Sequence, residues 1–178
     1  MRRQPVTLCI RRPKLVRAAC LVACLALSAF ASAQSARAHA GAVGERAPNF
    51  SLESPNGSLI ILSRFNDRPV FINFFASWCA PCRQELPAIT DRYGRYGSRV
   101  MFIGVDEQET AQVVKTFTAR SAIRFPVGID SGAVGARYGV GALPQSVFLD
   151  RHGIVRLVWH GSMTPRALQR GLSLIDAP

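Results

Sequence analysis

Residues 70–82 indicate the fold most strongly, and they read Val70-Phe71-Ile72-Asn73-Phe74-Phe75-Ala76-Ser77-Trp78-Cys79-Ala80-Pro81-Cys82. The first half of this stretch is a nearly continuous apolar run, which is typical of a central β-strand buried on both faces. Its second half places two cysteines three residues apart, at the point where a helical pattern begins. Three residues are close to one helical turn, so both sulfur atoms should lie on the same side of the helix.

Apolar periodicity and turn residues outline the elements on either side of this stretch. Two short strand candidates flank the turn Ser54-Pro55-Asn56-Gly57 and predict an N-terminal β-hairpin. Further strands are predicted at residues 99–105, 146–150 and 154–159. Helices are predicted at residues 86–96 (interrupted by Pro87), 109–120 (with Val113, Val114 and Phe117 facing inward) and 132–138, and a last helix begins at Thr164-Pro165. This order predicts an α/β fold with a mixed central sheet, parallel in the middle, flanked by helices on both sides.

The first 33 residues have the pattern of a targeting signal. Their start is basic without an acidic residue, and an apolar run from Ala18 to Phe30 ends in Ala31-Ser32-Ala33. These features predict a secretory signal peptide over residues 1–33. The run is shorter than the roughly 20 residues that cross a bilayer, and an uncleaved membrane anchor is the alternative. Residues 34–46 are small and polar, which predicts a flexible lead-in to a domain over residues 47–178.

Most of the positive charge belongs to the targeting signal. Removing it takes away six of the 22 basic residues and none of the 11 acidic ones, so the formal net charge falls from +11 to +5. The remaining arginines are scattered and form no long basic block. We therefore expect no nucleic-acid partner.

The cysteine count favours chemistry over structural crosslinking. Only Cys79 and Cys82 of the five cysteines follow the predicted signal. A zinc site would need two more ligands, and His39, His152 and His160 lack ligand spacing, so no metal is expected. A purely structural disulfide is an alternative, although such a short loop constrains the unfolded chain very little. Cys79 should lie at the helix start, where unsatisfied N–H groups and the helix dipole favour the nucleophilic thiolate, with Cys82 as the resolving thiol.

Several motifs in order resemble the exported TlpA/ResA-like thiol–disulfide oxidoreductases, which have a thioredoxin-like fold. The resemblance extends from Gly44 to Ile175. It includes the strand and cysteine pair quoted above together with Ala47-Pro48-Asn49-Phe50-Ser51-Leu52, Arg83-Gln84-Glu85-Leu86-Pro87, Tyr138-Gly139-Val140, Leu143-Pro144 and Phe148-Leu149-Asp150-Arg151-His152-Gly153.

The resemblance implies roles for residues around the cysteine pair. Pro144 matches the family's cis-proline, which would face the cysteines and present a backbone edge to the partner protein. Glu85 matches an acidic residue that could carry protons for Cys82. Asn73 occupies the position of the buried acid of ordinary thioredoxins, and the Gln145-Ser146 pair that follows Pro144 departs from many relatives at residues expected to touch the partner.

The predicted site therefore has a catalytic and a partner-binding part. Its catalytic residues are Cys79, Cys82 and Glu85, and its partner-binding residues are Trp78, Pro81, Leu143 and Pro144. Pro81, with no histidine between the cysteines, resembles the reducing branch of the family.

The function this implies is a periplasmic, monomeric reductase that needs no cofactor. It would act on disulfides of exported proteins, such as those in cytochrome c or oxidase maturation, and would draw electrons from a membrane thiol donor. One alternative is a thiol peroxidase of the peroxiredoxin type, because the Ala47-Pro48-Asn49-Phe50 opening is shared. However, Ala76 stands where that class has threonine. A second alternative is a chaperone that holds Cu(I) between the two thiolates.

Overall fold

A seven-stranded mixed sheet organises residues 41–176, the part of the chain that the computed structural model describes. The strands are β1 (Ser51–Glu53), β2 (Leu59–Ile61), β3 (Val70–Phe75), β4 (Met101–Glu107), β5 (Val127–Asp130), β6 (Gln145–Leu149) and β7 (Val155–His160). Their order across the sheet is β2-β1-β5-β4-β3-β6-β7. The helices are α1 (Ala80–Tyr96), α2 (Ala111–Arg120), α3 (Ala133–Arg137) and α4 (Pro165–Ile175), and a 3-10 turn spans Leu62–Phe65.

Strand β3 lies at the centre, as its sequence predicts, and all six of its residues are buried. It pairs in parallel with β4 and antiparallel with β6. The β1–β2 hairpin and the closing β6–β7 hairpin are also confirmed. Because only residues 76–79 separate β3 from α1, the centre of the sheet positions the cysteine pair.

Two apolar clusters contain the alternating side chains of the central strands. Phe71, Phe75 and both cysteines belong to one cluster, which also includes Leu86 and Leu168 of the flanking helices α1 and α4. Ile72 and Phe74 belong to the other cluster, which includes the N-terminal hairpin and Tyr138. The alternation follows from the two-residue period of a strand. The cysteines therefore lie at the edge of a well-packed core.

Strand β5 is the element that the sequence did not predict. Val127–Asp130 is only four residues long and contains Gly128, which weakens a strand pattern. Here the glycine is required, because a Cβ at this position would lie 2.6 Å from Leu52 Cβ.

Helix α2 differs from its prediction in which side chains face inward. Val114 is fully buried and Phe117 is partly buried, but Val113 is 41% exposed, so its predicted inward orientation is wrong. The stripe of this helix that contacts the core runs through Val114 and Phe117 and leaves Val113 outside it.

The ordered fold also begins earlier than the predicted boundary at Ala47. The Gly44 N–H donates to the Val155 carbonyl at 2.8 Å, and the Val155 N–H donates to the Glu45 carbonyl at 2.9 Å. The end of the predicted lead-in is therefore hydrogen-bonded to β7. The predicted signal peptide or anchor lies outside the described residues. Within residues 41–176, no helix is both long and apolar enough to cross a membrane.

Candidate active site

Cys79 caps the N-terminus of α1, the position that the sequence predicts. Its backbone is extended (φ −74°, ψ 108°), and its Sγ atom accepts a hydrogen bond from the Cys82 N–H at 3.2 Å. The two cysteines are joined by a disulfide bond. Cys79 is 4% exposed and Cys82 is fully buried. A donor of the first helical turn therefore already points at Cys79 Sγ, which stabilises negative charge on that sulfur after reduction.

An open groove of about 430 Å³ is lined by Trp78, the residue before Cys79, together with Leu143, Glu107 and Gln108. Trp78 is 67% exposed, which is unusual for an aromatic side chain of this size. Pro81 is exposed in the first turn of α1, and Leu143 is half-buried. The structure thus leaves the predicted partner-binding residues Trp78, Pro81 and Leu143 accessible around the disulfide.

The Leu143–Pro144 peptide bond is cis, as expected. Pro144 itself is buried, and its carbonyl accepts a hydrogen bond from the Gly161 N–H at 2.8 Å. An accessible backbone edge in this loop would therefore come from Leu143 rather than from Pro144.

Gln145 and Ser146 do not contact the surface, contrary to the expectation that they touch the partner. Both are buried in β6, where Gln145 Nε2 donates to the Tyr138 carbonyl at 3.0 Å. Ser146 Oγ accepts a hydrogen bond from Asn73 Nδ2 at 3.0 Å. β6 is an interior strand covered on both faces, so neither side chain reaches solvent.

Glu85 lies in the core, three residues after Cys82, and is only 3% exposed. Its Oε1 atom accepts from Asn73 Nδ2 at 2.9 Å, and its Oε2 atom accepts from the Met163 N–H at 2.7 Å. Burial raises the pKa of Glu85, while the hydrogen bonds from Met163 and Asn73 lower it by a smaller amount. The carboxyl group is therefore poised to take up a proton at a higher pH than an ordinary glutamate.

A group of carboxyl groups at the end of β4 was missed by the sequence reasoning. Asp106 is fully buried at a position paired with Phe75, the last residue of β3. Burial raises the pKa of Asp106 to about 8, and the neighbouring Glu109 carboxyl adds to the rise. Burial likewise raises the pKa of Glu107 to about 7, with a contribution from the Asp130 carboxylate. The sequence did contain a signal for this group, because acidic residues that end adjacent parallel strands must meet at one edge of the sheet.

Comparisons with known proteins agree with this geometry. A redox-active disulfide that caps a helix at the centre of such a sheet is the arrangement of a thioredoxin-like thiol–disulfide oxidoreductase. The AhpC/TSA family model matches residues 43–158. The chain is 36% identical over 135 residues to the thiol–disulfide oxidoreductase ResA of Bacillus thuringiensis (strain Al Hakam), which covers 75% of this chain and 78% of that protein.

Two further proteins are similar over most of their length. The thioredoxin-like protein YneN of Bacillus subtilis (strain 168) is 31% identical over 134 residues, covering 74% of this chain and 79% of YneN. A solved structure from Chlorobium tepidum, assigned as a thiol:disulfide interchange protein DsbE, superposes with a TM-score of 0.72 at 28% identity. It covers 76% of this chain and 99% of that chain. The chain therefore belongs to the AhpC/TSA family, in its TlpA/ResA-like branch of thiol–disulfide oxidoreductases.

Proposed function

We propose that this protein is an exported reductase that transfers electrons from the Cys79/Cys82 dithiol to disulfides of other exported proteins. The observation that carries the proposal is the placement of Cys79 at the N-cap of α1, with its sulfur facing the Cys82 N–H. The names of its ResA and DsbE relatives support disulfide exchange as the chemistry.

Exchange proceeds in two displacement steps. In the first, the Cys79 thiolate attacks one sulfur of the partner's disulfide, forming a mixed disulfide and releasing the partner's other sulfur as a thiolate. In the second, Cys82 sulfur attacks Cys79, the bond between Cys79 and the partner breaks, and the partner leaves fully reduced. Two electrons pass to the partner, and the pair ends as the Cys79–Cys82 disulfide.

Glu85 accepts the proton that Cys82 must lose in the second step. Cys82 is fully buried, which disfavours its thiolate, so a nearby base is needed for attack. Glu85 lies one turn further along α1 and is itself buried. Its hydrogen bonds to Asn73 and Met163 hold the carboxylate in place while its raised pKa brings proton uptake closer to neutral pH.

The partner would bind across the groove between Trp78 and Leu143. Pro81 would lie beside the partner's sulfur, and the Leu143 backbone would align the partner chain next to the cis-proline. An exposed tryptophan supplies a large rigid contact area at little entropic cost.

We place the protein in the periplasm, exported by the signal over residues 1–33 or held there by the same segment. Cytochrome c or oxidase maturation is the process we propose for it, since these pathways require exported cysteines in reduced form. Because the periplasm is kept oxidising, a membrane thiol donor would have to regenerate the dithiol.

The test is to trap the mixed disulfide. Cys82→Ser should accumulate a covalent adduct with a model partner that carries one accessible disulfide, and dithiothreitol should release that adduct. Cys79→Ser is the matched control and should form no adduct. Trapping through Cys82 in the Cys79→Ser protein would reverse the assigned roles, and no adduct from either variant would refute the exchange mechanism.

The two other activities have separate readouts. A peroxidase would consume hydrogen peroxide rapidly as long as thiol is supplied. We expect only slow, non-enzymatic turnover, because Ala76 lacks the hydroxyl of the threonine that peroxiredoxins have at this position. A copper chaperone would bind Cu(I) tightly when reduced and would lose the ion in the double Cys79→Ser, Cys82→Ser variant. Among residues 41–176, no group of three or more histidine, cysteine or acidic side chains could hold a metal ion.

A further inference from the structure

Ser77, two residues before Cys79, is held at all three of its polar atoms. Its N–H donates to Glu109 Oε2 at 2.5 Å, and its Oγ donates to Glu109 Oε1 at 2.6 Å. Its carbonyl accepts from Arg83 Nη1 at 2.8 Å. Ser77 lies inside the turn that the Cys79 N–H closes on the Ala76 carbonyl at 3.2 Å. The turn before Cys79 is therefore fixed by hydrogen bonds to Glu109 and Arg83, which lie outside residues 79–82.

Glu109 makes two of these bonds from a neighbouring strand connection. It follows β4 and directly precedes Thr110, the N-cap of α2. Both of its carboxylate oxygens are used by Ser77, so the two bonds fix the side chain in position and direction. Glu109 thus joins the β4–α2 connection to the β3–α1 connection that carries Cys79.

Asp106 lies next to Glu109, and no basic side chain among the described residues neutralises its charge. It is fully buried, and neither of its side-chain oxygens has a hydrogen bond of full geometry to a described residue. The acidic groups that act on it are Glu109 and, on its own strand, Glu107, whose side chain points to the opposite face of the sheet. Phe75 of β3 and Ile129 of β5 are its apolar neighbours in the sheet. A buried carboxyl group beside a second carboxylate cannot ionise without a large cost, so Asp106 retains its proton.

We propose that Glu109 is a positioning residue for disulfide exchange and that Asp106 holds the proton which keeps it in place. The Asp106 acid O–H faces the Glu109 carboxylate, and that carboxylate holds Ser77 and hence the turn before Cys79. The raised pKa of Asp106, about 8, supports this protonation state at neutral pH. Above that pH, Asp106 ionises, repels Glu109 and loosens the turn. The inference rests on the proposed exchange chemistry of Cys79.

Loosening the turn should weaken the Cys79–Cys82 disulfide relative to the dithiol. A fixed turn keeps the two sulfur atoms within bonding distance, and a mobile turn lowers their effective concentration. The equilibrium with glutathione reports this directly, because two glutathione molecules reduce the pair and form one glutathione disulfide. This readout needs no protein partner, so it can fail while the partner-trapping test succeeds, and the reverse also holds.

The experiment compares wild type with Ser77→Ala, Glu109→Gln and Asp106→Asn in glutathione buffers. Glu109→Gln should shift the equilibrium at pH 7 toward the dithiol by about tenfold, the size expected for losing a charged hydrogen bond. Ser77→Ala keeps every charge and loses one bond, and should shift it in the same direction by about threefold. This variant separates positioning from simple charge removal. It also provides the decisive result if Glu109→Gln does not fold.

Asp106→Asn tests the shared proton, because its amide can donate to Glu109 at every pH. Alkylation of reduced Cys79 by iodoacetamide from pH 6 to 9.5 should show an additional step near pH 8 in wild type and none in Asp106→Asn. A Ser77→Ala equilibrium equal to wild type would overturn the positioning role of Glu109. An unchanged step near pH 8 in Asp106→Asn would overturn the proton assignment to Asp106.

Discussion

Replacing Asp106 by asparagine should stabilise the folded protein at neutral pH. The folded state keeps this carboxyl group protonated up to about pH 8, whereas an unfolded aspartate loses its proton near 3.8. Folding at pH 7 therefore takes up a proton, and this uptake costs free energy that rises with pH. Asparagine has the same shape and a donor but no proton to take up, so the cost disappears.

The magnitude follows from the separation between the two pKa values. Each pH unit contributes about 1.36 kcal/mol, so the roughly three units between 3.8 and 7 give an upper bound of about 4 kcal/mol. Relaxation of the site around an ionised carboxylate reduces this value. We therefore expect Asp106→Asn to gain about 1–3 kcal/mol at pH 7. A raised folded-state pKa gives stability that is present at low pH and lost as pH rises, so the gain should vanish near pH 4 and be largest near pH 8.

Urea unfolding of the oxidised protein between pH 4 and 8.5, followed by tryptophan fluorescence, measures this difference. Equal m-values are required for the comparison. Asp67→Asn is the matched control, because Asp67 is exposed and has a φ of 75°, which asparagine tolerates. The free energy of unfolding of the Asp67→Asn protein should differ from wild type by less than about 0.5 kcal/mol at every pH. A gain for Asp106→Asn that does not depend on pH, or no gain at pH 7, would refute the reasoning.

Three further substitutions test other parts of the account. Glu85→Gln should slow the release of reduced partner by about 100-fold without slowing adduct formation by Cys79, measured by stopped-flow with a fluorescent disulfide substrate; equal losses in both steps would contradict the proton role. Trp78→Ala should raise KM about tenfold and leave the urea midpoint unchanged, since the side chain is mostly exposed; an unchanged KM would remove Trp78 from partner binding. Gly171→Ala should destabilise the fold by about 1–3 kcal/mol, because the new Cβ would lie 2.5 Å from Phe148 Cε1; an unchanged melting temperature would contradict this packing.

The sequence predicted the centre of the molecule well because its signals there are local. The apolar run that forms β3 and the cysteine spacing at the start of α1 each depend on neighbouring residues only. Strand β5 was missed because it is short and contains Gly128, whose requirement comes from contact with Leu52, 76 residues earlier in the chain. A close approach of two backbones leaves no periodic signal in the sequence.

The sequence pointed to the cysteine pair and Glu85 as site residues, but not to Asp106 and Glu109. Glu85 follows Cys82 on the same helix, where spacing determines proximity. Asp106 and Glu109 lie 24 to 30 residues from the cysteines in sequence and approach the site through the parallel pairing of β3 with β4. The burial of Asp106 and its lack of hydrogen-bond donors are properties of packing, which residue spacing alone does not give.

The reduction potential of the Cys79–Cys82 pair distinguishes a reductase from an enzyme that inserts disulfides. Equilibration with defined dithiothreitol or glutathione mixtures at pH 7, with the two redox forms separated after thiol alkylation, gives the value. We expect a potential near that of thioredoxin, about −270 mV, as befits a reductase that a membrane donor keeps reduced. A potential near that of the strong oxidant DsbA, about −120 mV, would show that the pair inserts disulfides and would contradict the proposed direction of electron flow.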